Sequence, residues 1–406
     1  MSDKIFNVFL QSLIKPINET DSNIEEVSLK ILFEKRMKEL GLSQNQVEKL
    51  LNIEKKSLNG ILDRTAKRVD VVNILKLGNF LNLPPEKFLD IYILEMPSES
   101  IGDLEQARKS NFIISRFDLS GLHKAKFLNS KSDLDYIVHR INKFFGINNI
   151  FEYDQNNIFS AFSRTKKGSS NLMRDFWVKS AYVQFVGIKN LNPYDRNALV
   201  ELMPKIRPYT MNVERGLLTV AQALYCVGLT VIFQPNLPNV QVRGATFLVD
   251  EKPCIVLTDF NKSYPTIWFA LMHEIHHVLY DMDTIKSYSY HITGEPDLIL
   301  INEDKANDFA REYLFSAERS KYISSFINNE LIVKEYAKQS QVHPSFIYNF
   351  YNFDKYLQGD NYAWSMYKSY FPDIKLAISR LNTNPWDKEK IEESIMHLKE
   401  TVFNFI

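Results

Sequence analysis

The chain has two cysteines, Cys226 and Cys254, among 406 residues. Two cannot build a disulfide framework or a four-cysteine zinc site. Glycine is also scarce, at 13 residues, well under the usual ~7%, which excludes collagen-like and glycine-rich proteins. Charge of neither sign is in excess, with 49 basic and 49 acidic residues. This excludes a globally basic nucleic-acid coat but leaves local basic patches open. No apolar run approaches the ~20 residues needed to span a bilayer, so no membrane partner is expected. Near the start, Ile5, Phe6, Val8, Phe9 and Leu10 are interrupted by Asp3, Lys4, Asn7 and Gln11. No small-residue cleavage site follows, so the expected compartment is the cytoplasm. Internal repeats and low-complexity blocks are missing as well. What is abundant is aromatic residues: 28 Phe, 20 Tyr and 4 Trp within a hydrophobic fraction of 45%. That composition supports packed cores, and the length suggests roughly two to three domains.

The pattern along the chain predicts an α+β protein that is mostly helical. Residues 1–28 read as an amphipathic helix ending near Pro16, followed by a polar extension. Five helical patterns fill residues 29–94. The first stops at Gly41, and the second starts at Ser43 with Gln46 completing a capping box. Others follow over Glu54–Arg64, Val71–Leu81 and from Pro84 or Pro85 onward. Residues 95–174 read as a linker with helical segments, including a helix over 133–147. Strand signals then cluster at Leu229–Phe233, Val242–Val249 and Cys254–Leu257, with a hairpin turn at Asp250–Pro253. A helix over Thr266–Asp281, a loop, and a helix from Asp304 to about Arg319 come next. The remainder to Ile406, including 353–406, is helical and aromatic-rich.

The sharpest chemical signal is His273-Glu274-Ile275-His276-His277. On a helix, His273 and His277 share one face and can take one cation together. Glu274 lies beside them, within reach of a metal-bound water. This is the H-E-x-x-H arrangement in which two neutral imidazoles bind Zn²⁺ and the carboxylate serves as general base. The plain alternative is a buried helix with solvated histidines. Glu303, 26 positions beyond His277 on the next predicted helix, is the expected third ligand, leaving a fourth position for water. Asn307, one turn on, can hold a ligand imidazole through its other ring nitrogen. His276 points about 100° from the ligand face and is expected not to ligate. Tyr288, Tyr290 and His291, in the loop between the ligands, are candidates to stabilise an oxyanion. His123, His139, His343 and His397 read as surface or structural residues.

These two helices resemble the ImmA/IrrE family of metallopeptidases, in His273-Glu274-x-x-His277 and in Glu303-x-x-Ala306-Asn307-x-Phe309-Ala310. The segments Gly244-Ala245-Thr246-Phe247 and Lys252-Pro253-Cys254-Ile255-Val256-Leu257 are similar to that family's edge-strand hairpin. Tyr336-Ala337 and Val342-His343-Pro344-Ser345-Phe346 are similar to its C-terminal helices. The resemblance spans residues 175–352. It departs at His276, where the family usually has a small residue, and at Trp268. It implies a zincin-like (gluzincin-like) domain with a small sheet, one Zn²⁺ per chain and endopeptidase activity. It also implies a specific protein substrate, of repressor or antitoxin type. An extended substrate would pair with the Gly244–Leu248 strand.

Residues 31–82 resemble the helix-turn-helix domain of phage-type (XRE-like) repressors. Gln46 and Val47 lie on its first helix, Asn52-Ile53 at the turn, and Lys55-Lys56-Ser57-Leu58-Asn59 on a recognition helix. Gln44, Lys55, Lys56 and Asn59 are the expected double-stranded DNA contacts, with Arg64, Lys67 and Arg68 toward phosphates. The same fold also serves as a protein-interaction module. Three functions therefore stand at this point. One is a zinc endopeptidase fused to a DNA-binding-like domain. Another is a transcriptional regulator whose peptidase-like domain senses or binds, and the third is a toxin–antitoxin or phage-defence component. No oligomeric state follows from the residues.

Overall fold

A computed structural model describes residues 28–404, apart from 67, 95–97, 156–170, 261, 289, 294–302, 361 and 382. The expected helix over 1–28 and the expected phosphate contact Lys67 lie outside the described residues. Helices dominate, and the described strands form one small mixed sheet. Among the described residues, no helix is long and apolar enough to cross a membrane. The chain divides into two compact units, Met1–Ile113 and Ile114–Ile406.

In the first unit, local sequence sets the helix ends. Ser28 accepts from the Lys30 N–H and caps Leu29–Leu40, which stops at Gly41 in the left-handed region (φ 62°). The capping box forms as expected: the Gln46 side chain accepts from the Ser43 N–H at 2.8 Å. Asn52, also left-handed (φ 48°), ends Gln44–Leu51 and turns the chain into Lys55–Leu62. Leu29, Phe33, Val47, Leu58, Ile61, Leu77 and Phe88 make the core between the helices. Gly60 is required there, because a Cβ would sit 2.9 Å from the Ala66 methyl.

In the second unit, the polar stretch after residue 113 carries a buried aromatic face. Phe117, Phe127 and Phe144 pack on Phe176, and Trp386 from the C-terminal region joins them 5.6 Å from the Phe176 ring. The C-terminal helix Ile391–Thr401 lies along Leu172–Ile188, where Gly187 leaves room for Ile395. Regions far apart in sequence therefore share one core.

The sheet runs in the order β1-β3-β2-β4, with β1 Thr230–Phe233, β2 Gly244–Val249, β3 Lys252–Leu257 and β4 Tyr290–Thr293. β1 is parallel to β3, and the β2 contacts are antiparallel. The β2–β3 hairpin turns through Asp250 (φ 50°) and Glu251 (φ 63°). Two positive φ values in a two-residue loop match the twist of the strands.

Two expectations are corrected here. The segment after the H-E-x-x-H helix is no plain loop: it holds a helix, Met282–Tyr288, and the strand β4. Four residues are too few to show a period against the background. Nor is Gly244–Leu248 an edge strand. It pairs with β3 on one side, and over Gly244–Phe247 with β4 on the other, so its main-chain groups are already taken.

Candidate metal centre

The H-E-x-x-H motif lies on a helix from Tyr264 to Tyr280, with Pro265 in its first turn, where no hydrogen bond is lost. The helix is buried almost all round, by Trp268, Leu271, Met272, Ile275 and Val278, so its polar residues have little water to turn to. His273 and His277 are 1% and 0% exposed, and Glu274 is 0% exposed. The Glu303–Phe315 helix packs across this one through the small residues Ala306 and Ala310, both fully buried.

This packing brings the three expected ligands together. The Nε2 atoms of His273 and His277 lie 3.0 Å apart. Glu303 places Oε2 at 3.3 Å from the first and Oε1 at 3.5 Å from the second. The far sides of both rings are held. The Asn307 Oδ1 lies 3.1 Å from His273 Nδ1, as the sequence suggests. The Asp281 Oδ2 lies 2.8 Å from His277 Nδ1. Each partner offers an acceptor to Nδ1, which leaves each Nε2 able to turn a lone pair inward to a cation. Without a cation, a proton on Nε2 takes its place and bonds the ring to Glu303. Two imidazoles and one carboxylate are the donor set of an open zinc site, and the residues fit that metal.

In the metal-free protein the electrostatics are those of imidazole–carboxylate bonds. Burial pushes the Glu303 carboxyl up, but the bonds to His273, His277 and His291 outweigh it and hold the group well below the usual carboxylate range. For His277, burial pushes the pKa down, while Glu303, Glu274 and Asp281 more than restore it, so the imidazole ends above its ordinary value. His276 is lowered by burial, against the pull of Asp281.

Glu274 is clamped by the sheet. Its Oε2 accepts from the Thr246 hydroxyl on β2 at 2.6 Å, and its Oε1 from the Thr293 hydroxyl on β4 at 2.7 Å. Gly244, opposite Thr293, is needed for this approach: a Cβ there would lie 2.5 Å from Glu274 Oε1.

The oxyanion candidates divide. His291 is 1% exposed, and its Nε2 lies 2.7 Å from Glu303 Oε1, so it engages that carboxylate. Tyr290, one residue earlier on β4, faces the opposite side and stacks 5.8 Å from the Phe247 ring. The Tyr288 side chain lies outside what is described. His276 packs between Tyr280 and Phe309, with Nδ1 at 3.5 Å from Asp281 Oδ2. It joins His277 and Asp281 in a second convergent group. His343 caps its helix through Ser345, and His123, His139 and His397 are exposed.

Four contributors escape a reading of the sequence. Asp281 carries a usable signal, since it follows His277 by one helical turn. Thr246, Thr293 and Gly244 carry none, because only the strand register brings them to Glu274.

On the first unit, Lys55, Lys56 and Arg68 are exposed. Gln44 donates to Asn59 Oδ1 at 2.8 Å, tying the two helices together. Arg64 donates to the Ile61 carbonyl at 2.7 Å and lies 4.5 Å from the centre of the Tyr92 ring, turned onto its own domain.

No protein-family model, no curated protein and no solved structure matches this chain.

Proposed function

We propose that this chain is a zinc-dependent endopeptidase, fused to a DNA-binding-like domain and acting on a specific protein partner of repressor or antitoxin type. One observation carries the reading: two imidazole nitrogens and the Glu303 carboxylate converge, with the buried Glu274 carboxylate beside the two histidines on their helix. Zinc in such a set supplies Lewis acidity, polarising a carbonyl and bringing the pKa of water toward ~7. His273, His277 and Glu303 hold the ion. Asn307 and Asp281 fix the two rings in the ligating tautomer. Glu274 takes a proton from the attacking water and passes it to the leaving amine. The Thr246 and Thr293 hydroxyls hold that carboxylate in place, one on each oxygen. With β2 paired on both sides, β4 is the end strand beside the site, and an extended substrate adds there.

The test is co-expression of the chain with the products of neighbouring genes, as wild type and as Glu274→Gln. The variant keeps its zinc and loses cleavage of the partner. A second reading, a regulator that binds without turnover, draws on the full engagement of both Glu274 oxygens. It prevails if the wild type cuts no partner while repression survives in Glu274→Gln.

A further inference from the structure

We infer that His291 is a positioning residue, and that through it β4 holds the Glu303 carboxylate in its ligating orientation. The inference rests on the proposed metal centre. Of the three ligands, Glu303 is the least constrained. It is the first described residue of its helix. Its side chain is 38% exposed, against 2% and 0% for the two imidazoles. A glutamate also has three torsions to fix, where an imidazole has two. Something outside its own helix must choose its rotamer.

His291 does this from the sheet. Its Nε2 lies 2.7 Å from Glu303 Oε1, the oxygen that also faces His277, which leaves Oε2 toward His273. The ligand atoms that converge are those of His273, His277 and Glu303, and His291 meets the set through the carboxylate. A buried imidazole N–H on a carboxylate is a short, charge-assisted bond. The strand register fixes its place: His291 stands opposite Thr246, and the Tyr290 ring on the Phe247 ring pins the pairing. A slip of one residue would turn His291 and Thr293 away from the site together. One short strand thus touches both carboxylates of the centre, Glu303 through His291 and Glu274 through Thr293.

The experiment measures zinc affinity of the full chain by competition with a chromophoric chelator, alongside the melting temperature of the metal-free protein. His291→Ala is expected to weaken zinc about 10- to 100-fold, the usual effect of removing a partner of a metal ligand. His291→Gln keeps an N–H donor and should stay within about threefold of wild type. If His291→Ala does not fold, His291→Phe fills the strand face without a donor and should show the same loss. Unchanged affinity in a folded donor-less variant overturns the inference. So does a Gln variant as weak as Ala, which would make His291 a ligand. If the wild type binds no zinc, the metal-centre reading falls and this inference with it. Wild-type binding with an unaffected Ala variant sinks the inference alone.

Discussion

The Asp281 carboxylate lies 2.8 Å from His277 Nδ1, on the side of the ring away from His273. It is one helical turn beyond its histidine, at the residue that ends the helix. The contact sets both the tautomer and the basicity of the ligand. Asp281→Ala should therefore weaken zinc about 10- to 100-fold, with Asp281→Asn intermediate. Chelator competition on the two variants checks this, and equal affinity in all three proteins would remove Asp281 from the centre.

The two threonine hydroxyls on Glu274 make a separate prediction. Each is a buried bond to a charged group, worth about 1.5–3 kcal/mol. Thr246→Val and Thr293→Val should each destabilise the metal-free fold by roughly that amount in chemical denaturation. Gly244→Ala should lower the rate and destabilise the fold together, because its methyl drives the Glu274 carboxylate from both hydroxyls.

Much of this site is legible in the sequence, and what is not has a common cause. His273, Glu274 and His277 are set by helical spacing, and Glu303 and Asn307 by the same spacing on a second helix. The capping box at Ser43 and Gln46 and the left-handed Gly41 are equally local. β4 is not legible, since its four residues become a strand only by pairing with β2. The partners that β4 supplies, His291 to Glu303 and Thr293 to Glu274, are therefore hidden with it. Phe117 and Phe127 sit in a stretch whose serines suggest a linker, and both are buried against Phe176, remote in sequence.

The depressed Glu303 carboxyl predicts an acid dependence for the metal-free protein. A carboxylate held below its unfolded value of 4.5 stabilises the fold above that pH. The contribution fades as pH falls below about 4.5 toward the folded value. Denaturation curves of wild type and Glu303→Gln should therefore converge as the solution is acidified through this range. Parallel curves would show that the carboxylate is not held by its imidazole neighbours.

In the DNA-binding reading proposed for the first unit, the exposed Lys55 and Lys56 lie on the helix that faces the groove, where their charge displaces counterions from the duplex. Changing either to Ala should weaken binding to the gene's own upstream DNA and lower the salt slope by about one. Gel shifts across a salt series read both effects. A wild type that shifts no DNA, or lysine variants with an unchanged slope, would point to a protein partner for this unit.

The most direct test of the metal centre is elemental analysis of the purified full chain beside His277→Ala and Glu303→Ala. The account predicts one zinc per wild-type chain and almost none in either variant. A wild type free of metal, or variants that keep a full complement, would contradict it.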